Sequence, residues 1–268
     1  MSQTLPAQCT SIREALHAEW TKLRTTPGPG GLLLAAIVLT VALSVLAVAA
    51  THYTAGGSNL DTTKLSLTGI QLGQALVAIV AVLIISGEYA TGMIGATLAA
   101  MPRRRTVLAA KATVLTAAVL AAGTVAVLGS LLVGRLLLPA NGFTATHGYP
   151  PPSLADGPTL RAAAGSVLYL ALIALLSLGV ATAVRDSGTA IGAVLALLYL
   201  FPILGQALNP HWQRHLNQFA PMTAGLYIQA TTGLNGLPLT PWQGLGVLTA
   251  WSAAALIAGG LLLRLRDV

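Results

Sequence analysis

Six apolar runs divide this chain, each about the 20 residues a helix needs to cross the hydrocarbon core of a bilayer. They cover 31–50, 65–86, 112–134, 162–184, 190–208 and 242–263 of 268 residues. Together they place roughly 120 residues in lipid, and the remainder is split among seven segments. A soluble catalytic domain of roughly 100–150 residues has nowhere to fit. The composition agrees: 8% of residues are charged, whereas soluble chains carry about 25%. The 55% hydrophobic content also excludes disorder. The expectation is an all-α membrane protein. Residues 1–30 form a cytoplasmic N-terminal region and residues 31–268 a six-span domain, with Pro202 kinking the fifth span.

Orientation follows from the Lys and Arg residues. With the N-terminus inside, Arg13, Lys22, Arg24, Arg103, Arg104, Arg105, Lys111, Arg185, Arg264 and Arg266 lie on the cytoplasmic side. Lys64, Arg135, Arg161 and Arg214 lie outside. Six spans return the C-terminus to the cytoplasm. The net charge of +7 is scattered between apolar runs rather than gathered on one face, which argues against nucleic acid. The first run is too long, and too far from the N-terminus, for a cleaved signal peptide.

Three segments are neither spans nor plain loops. Residues 11–24, SIREALHAEWTKLR, read as an amphipathic helix with a Ser11/Glu14 capping box. Ile12, Leu16, Trp20 and Leu23 recur along one face, as suits a helix lying in the headgroup region. Residues 87–105, GEYATGMIGATLAAMPRRR, read as a short cytoplasmic helix closed by Pro102. Ile94, Leu98 and Met101 share one face and Tyr89 and Met93 another, which invites a protein partner. Arg103, Arg104 and Arg105 are also explained by topology and anionic lipid. The outer loop 209–241 carries Trp212, Phe219 and Tyr227 but few charges, so packing at the outer interface is expected. His211 and His215 within it read as surface histidines, because no third metal ligand is near.

Within the spans Gln71, Gln74 and Gln206 must find partners, either as helix–helix contacts or along a substrate path. Gly69-xxx-Gly73 and Gly188-xxx-Gly192 permit close helix packing. No Asp or Glu lies at mid-span to relay protons, and Lys111 and Arg135 can snorkel from opposite ends of the third span. HExxH, GxSxG and Walker A patterns are all missing. Cys9 is the single cysteine, so no thiolate cluster can form. The chain is expected to hold no catalytic site, metal or cofactor.

Ala18-Glu19-Trp20-Thr21-Lys22-Leu23-Arg24 before the first span resembles the start of type-2 ABC transporter permeases from high-GC bacteria. Gly87-Glu88-Tyr89-Ala90-Thr91-Gly92-Met93-Ile94, with Thr97-Leu98, Pro102-Arg103-Arg104 and Ala110-Lys111, is similar to the same family. Pro221-xx-Ala224-Gly225 is a third match. Gly95 departs from the pattern, standing where a basic residue is more usual.

The resemblance implies a membrane-spanning subunit of an ATP-driven exporter in the bacterial inner membrane, paired with a second permease as homodimer or heterodimer. ATP and Mg would sit on a separate ABC ATPase subunit. Glu19, Trp20, Lys22 and Arg24 would belong to the connecting helix. Glu88, Tyr89, Gly92, Met93, Ile94 and Leu98 would form the coupling helix, with Glu88 touching the partner or Lys22 or Arg24. A lipophilic or amphipathic cargo is expected. A stand-alone channel or carrier, or a non-transporting anchor or sensor, would use the same six spans.

Overall fold

The computed structural model describes residues 12–54, 60–90, 92, 104–207 and 209–265. Among them there is no strand. Helix α1 (Ile12–Thr25) is followed after one residue by α2 (Pro27–Ala49), and α3 (Thr62–Ser66) precedes α4 (Ile70–Ala90). Then come α5 (Arg104–Leu137), α6 (Gly157–Val184), α7 (Ser187–Gln206), α8 (Pro210–Phe219), α9 (Pro221–Leu226) and α10 (Pro241–Leu265). Six of these, α2, α4, α5, α6, α7 and α10, are long and apolar enough to span a bilayer. The chain is a multi-pass, all-α membrane protein.

Span boundaries shift from the sequence expectation, with most consequence in the second and third spans. The second begins at Ile70, not 65. Asp61 accepts a hydrogen bond from the Lys64 backbone N–H at 2.9 Å, capping the separate helix α3, which ends at Ser66. Helix α4 therefore runs to Ala90 and absorbs Gly87, Glu88 and Tyr89 as its last turn. The third span is one helix of 34 residues, about 51 Å at 1.5 Å per residue, well beyond the ~30 Å hydrocarbon core. Arg104 and Arg105 are thus helical rather than part of a loop.

Helix α6 is the hub, packed against α4, α5, α7 and α10. Small residues set the distances. A Cβ on Gly179 would lie 2.5 Å from the Ala255 backbone of α10. Gly69, just before α4, and Gly73 within it press on Thr40 of α2, where an added Cβ would stand 1.9 Å from Thr40 O or Oγ1. Among the described residues, a Cβ on Gly188 would meet only Asp186 and one on Gly192 would meet nothing within 4 Å.

At the end away from α1, residues 220–230 do not lie flat at the surface. Trp212, Phe219 and Trp242 are exposed, but Ala220, Met222, Ala224, Leu226, Ile228 and Ala230 are buried. This segment, α9 and a 3-10 turn at Tyr227–Gln229, folds inward against α6 and α10. Gly225 rests on the Tyr169 ring, and Ile228 fills the space left by Gly165. Asp61 fastens the segment by accepting from Thr231 Oγ1 at 2.7 Å and Thr232 N at 3.0 Å, while Arg161 donates to Ala230 O.

Candidate functional site: a buried ionic ring

Helix α1 lies against α5 and α2 at one end of the bundle. Its inward face is not the apolar stripe, which the sequence reading assigns to the headgroup region. Ala15 and Glu19 are buried, whereas Trp20 is 43% exposed. Trp20 therefore points towards the surroundings, as an interfacial aromatic does. Glu19 and Lys22, three residues apart, share one side of the helix and point to the spans.

There they meet Glu88 from the last turn of α4 and Lys111 from α5. Lys22 Nζ lies 3.3 Å from Glu19 Oε1 and 2.8 Å from Glu88 Oε1. Lys111 Nζ lies 2.9 Å from Glu19 Oε2 and 2.7 Å from Glu88 Oε1. Carboxylates and ammoniums alternate around a closed, formally neutral ring. Lys111 is 1% exposed, and a lone ammonium that deep would be prohibitively costly. Two carboxylates from two other helices compensate it. Burial alone would pull the Lys22 ammonium down, but hydrogen bonding to Glu88 and the charge of Glu19 outweigh it, leaving its pKa above the ordinary 10.5. The ring borders a cavity of about 330 Å³ whose other walls include Leu23, Thr26, Pro29, Leu83, Ile84, Val114 and Leu115.

Glu88 thus touches Lys22 but occupies a different place from the one expected. It closes α4, where a carboxylate opposes the helix dipole; its two lysine partners offset that. Lys111 does not snorkel to water. It is the interior member of the ring, a role its position beside an apolar run did not disclose. The cue was stoichiometric: Glu19 and Glu88 are two of only seven acids in the chain and flank the same end.

Tyr89 packs under the Arg185 guanidinium, with Cζ 5.5 Å from the ring centre. Gly92 has φ +69°, the left-handed conformation glycine tolerates, and its N–H donates to Tyr89 O at 3.2 Å, ending α4. Arg24 is exposed and not in the ring. Met93, Ile94, Leu98, Met101 and Arg103 lie outside the described residues, as do the side chains of Arg104 and Arg105.

The span glutamines separate. Gln74 is fully buried; its Nε2 donates to Gln71 O at 2.9 Å and its Oε1 accepts from Tyr169 Oη. Tyr199 Oη donates to Gln71 O at 2.6 Å. These groups join α4 to α6 and α7. Gln206 is exposed near the end of α7. His211 and His215 meet edge-on with ring centres 4.7 Å apart on α8, and among the described residues no third ligand group joins them.

Six spans with a helix clamped to their end by charge make this a multi-pass membrane protein. The sequence profile of the ABC-2 family transporter protein matches residues 15–203, and the chain belongs to that family. The match runs from α1 through most of α7, so it includes all four residues of the ring. No curated protein matches the chain.

Proposed function

We propose that this chain is the permease subunit of an ATP-driven exporter in a bacterial cytoplasmic membrane, powered by a separate ABC ATPase. The observation that carries the reading is the ionic ring. It joins α1, α4 and α5 at the end where residues 87–105 leave the membrane, so force applied there reaches three helices at once. The Lys and Arg bias supports a cytoplasmic location for this end and for both termini. Glu88 and Tyr89 close the span that leads into the coupling segment, and Met93, Ile94 and Leu98 supply its apolar contacts to the ATPase. ATP binding would draw the ATPase subunits together, push on this segment and open the cavity between paired permeases by rigid-body motion.

The outward face of α7 supports pairing with a second permease, because Gly188, Gly192 and Ala196 are exposed at four-residue intervals and permit close approach of another helix. The cargo is lipophilic or amphipathic: Gln74 is bonded within the protein, leaving few polar groups to receive a hydrophilic solute.

Co-expression with the Walker-motif ATPase encoded nearest to it tests the reading. The two chains should co-purify from detergent, and wild-type permease should raise ATP hydrolysis above that of the ATPase alone. Deleting residues 93–101 should abolish both. Failure of the wild-type chain to bind or stimulate the ATPase would remove the proposal.

A further inference from the structure

Arg185 is the one non-glycine among the described residues with a positive φ, at +68°. It occupies the C-terminal cap of α6, and its N–H donates to Ala181 O at 2.9 Å. Glycine or asparagine ordinarily fills that left-handed cap, since a Cβ is disfavoured there. Glycine is available nearby at Gly188, yet the cap is an arginine. Backbone geometry therefore does not explain the residue; its side chain must.

That side chain lies over Tyr89, within the ~6 Å at which a guanidinium and an aromatic face attract. The contact bridges two parts of the molecule. Tyr89 belongs to the last turn of α4, directly after Glu88 of the ionic ring. Arg185 belongs to the two-residue link between α6 and α7, the hub helix and the helix with the exposed small-residue face. Asp186, the other link residue, accepts from Thr189 N at 2.7 Å and caps α7. The link is short and capped on both sides, so it moves as a unit with its two helices.

We infer that Arg185 is a positioning residue that ties the α6–α7 link to the end of α4, passing displacement of the coupling segment to the half of the bundle outside the ionic ring. The ring ties α1, α4 and α5 at this end, and the Gln71 and Gln74 bonds tie α4 to α6 and α7 nearer its start. The Arg185–Tyr89 contact adds a tie from α4 to the α6–α7 link at the ring's own end, and through α6 it reaches α10. This inference rests on the proposed coupling to an ABC ATPase.

The decisive variant is Arg185→Gly, which suits the left-handed backbone better than the native residue and removes the ring contact. In permease–ATPase complexes in lipid nanodiscs, R185G is expected to keep its melting temperature at or above wild type and to co-elute with the ATPase. Its permease-stimulated kcat for MgATP should fall about fivefold, the factor a cation–π contact supports, with KM unchanged. Tyr89→Leu should reproduce the defect, Y89L with R185G should be no worse than the more severe single variant, and Arg185→Lys should recover part of the loss. Stimulation by R185G equal to wild type would overturn the inference. So would a melting temperature that falls together with kcat, which would make Arg185 a packing residue. A wild-type permease that gives no stimulation would instead overturn the underlying functional reading, and this inference with it.

Discussion

Lys111 Nζ of α5 stands 2.7 Å from Glu88 Oε1 of α4, with the lysine almost wholly enclosed by protein. Removing one member of a buried ion pair costs about 3–5 kcal/mol, because the partner's charge stays buried without compensation. Lys111→Met should therefore destabilise the chain by about that amount in denaturant titrations in detergent. Lys111→Arg, which keeps the charge, should lose less. A loss below about 1 kcal/mol for Lys111→Met would show the site to be wetter than its burial implies.

Lys22 predicts a pH dependence of the same ring. Its folded pKa lies above the ordinary 10.5, chiefly because Glu88 and Glu19 outweigh the burial that opposes them. A raised folded value means the stabilisation is complete below the unfolded pKa and disappears as pH rises through the folded one. The melting temperature of wild type should thus fall more steeply above pH 10.5 than that of Lys22→Met. Parallel curves would contradict the assignment. Lys22 is 38% exposed, so the effect at neutral pH should be smaller than for Lys111.

The two small-residue motifs should respond oppositely to the same change. Gly73→Ala drives a methyl into Thr40 Oγ1 and should cost about 1–3 kcal/mol through overpacking of α4 on α2. Gly192→Ala meets nothing within 4 Å and should leave the monomer's unfolding unchanged. Cysteine crosslinking between copies at Ala196 should instead fall in Gly192→Leu, which tests pairing through α7.

At membrane depth, Tyr169→Phe removes the hydroxyl that donates to Gln74 and leaves a buried amide oxygen short of a partner. The expected cost is about 1 kcal/mol, in the range of hydrogen bonds between membrane helices. Combining it with Gln74→Leu should recover part of that loss. If Gln74→Leu alone proved neutral, the pair would not be holding α4 to α6.

Much of this was legible in the sequence, and what was legible had a local cause. Six apolar runs of spanning length needed no knowledge of neighbours, because lipid imposes the same requirement on each segment separately. The amphipathic character of residues 11–24 and the Gly69-xxx-Gly73 contact were visible for similar reasons of periodicity. The inward face of α1 was not legible: the apolar stripe reads as lying in the headgroup region, and nothing local marks Ala15 and Glu19 as the side turned to the spans. Trp20 answers to the membrane surface, and Glu19 faces inward because Lys111 waits there. The fold of residues 220–230 into the bundle was hidden too, since the space for Ile228 and Gly225 is made by Gly165 and Tyr169, far earlier in the chain.

By itself, then, the sequence determined the class of molecule, the number of its spans and the helical, amphipathic character of residues 12–24. Each of those depends on hydrophobicity and charge along a stretch of chain. Tertiary structure alone decided which charges pair. Glu19, Lys22, Glu88 and Lys111 become one ring because α1, α4 and α5 converge, and a buried charge is stable only where opposite charges from other helices reach it. No spacing within one segment encodes that convergence.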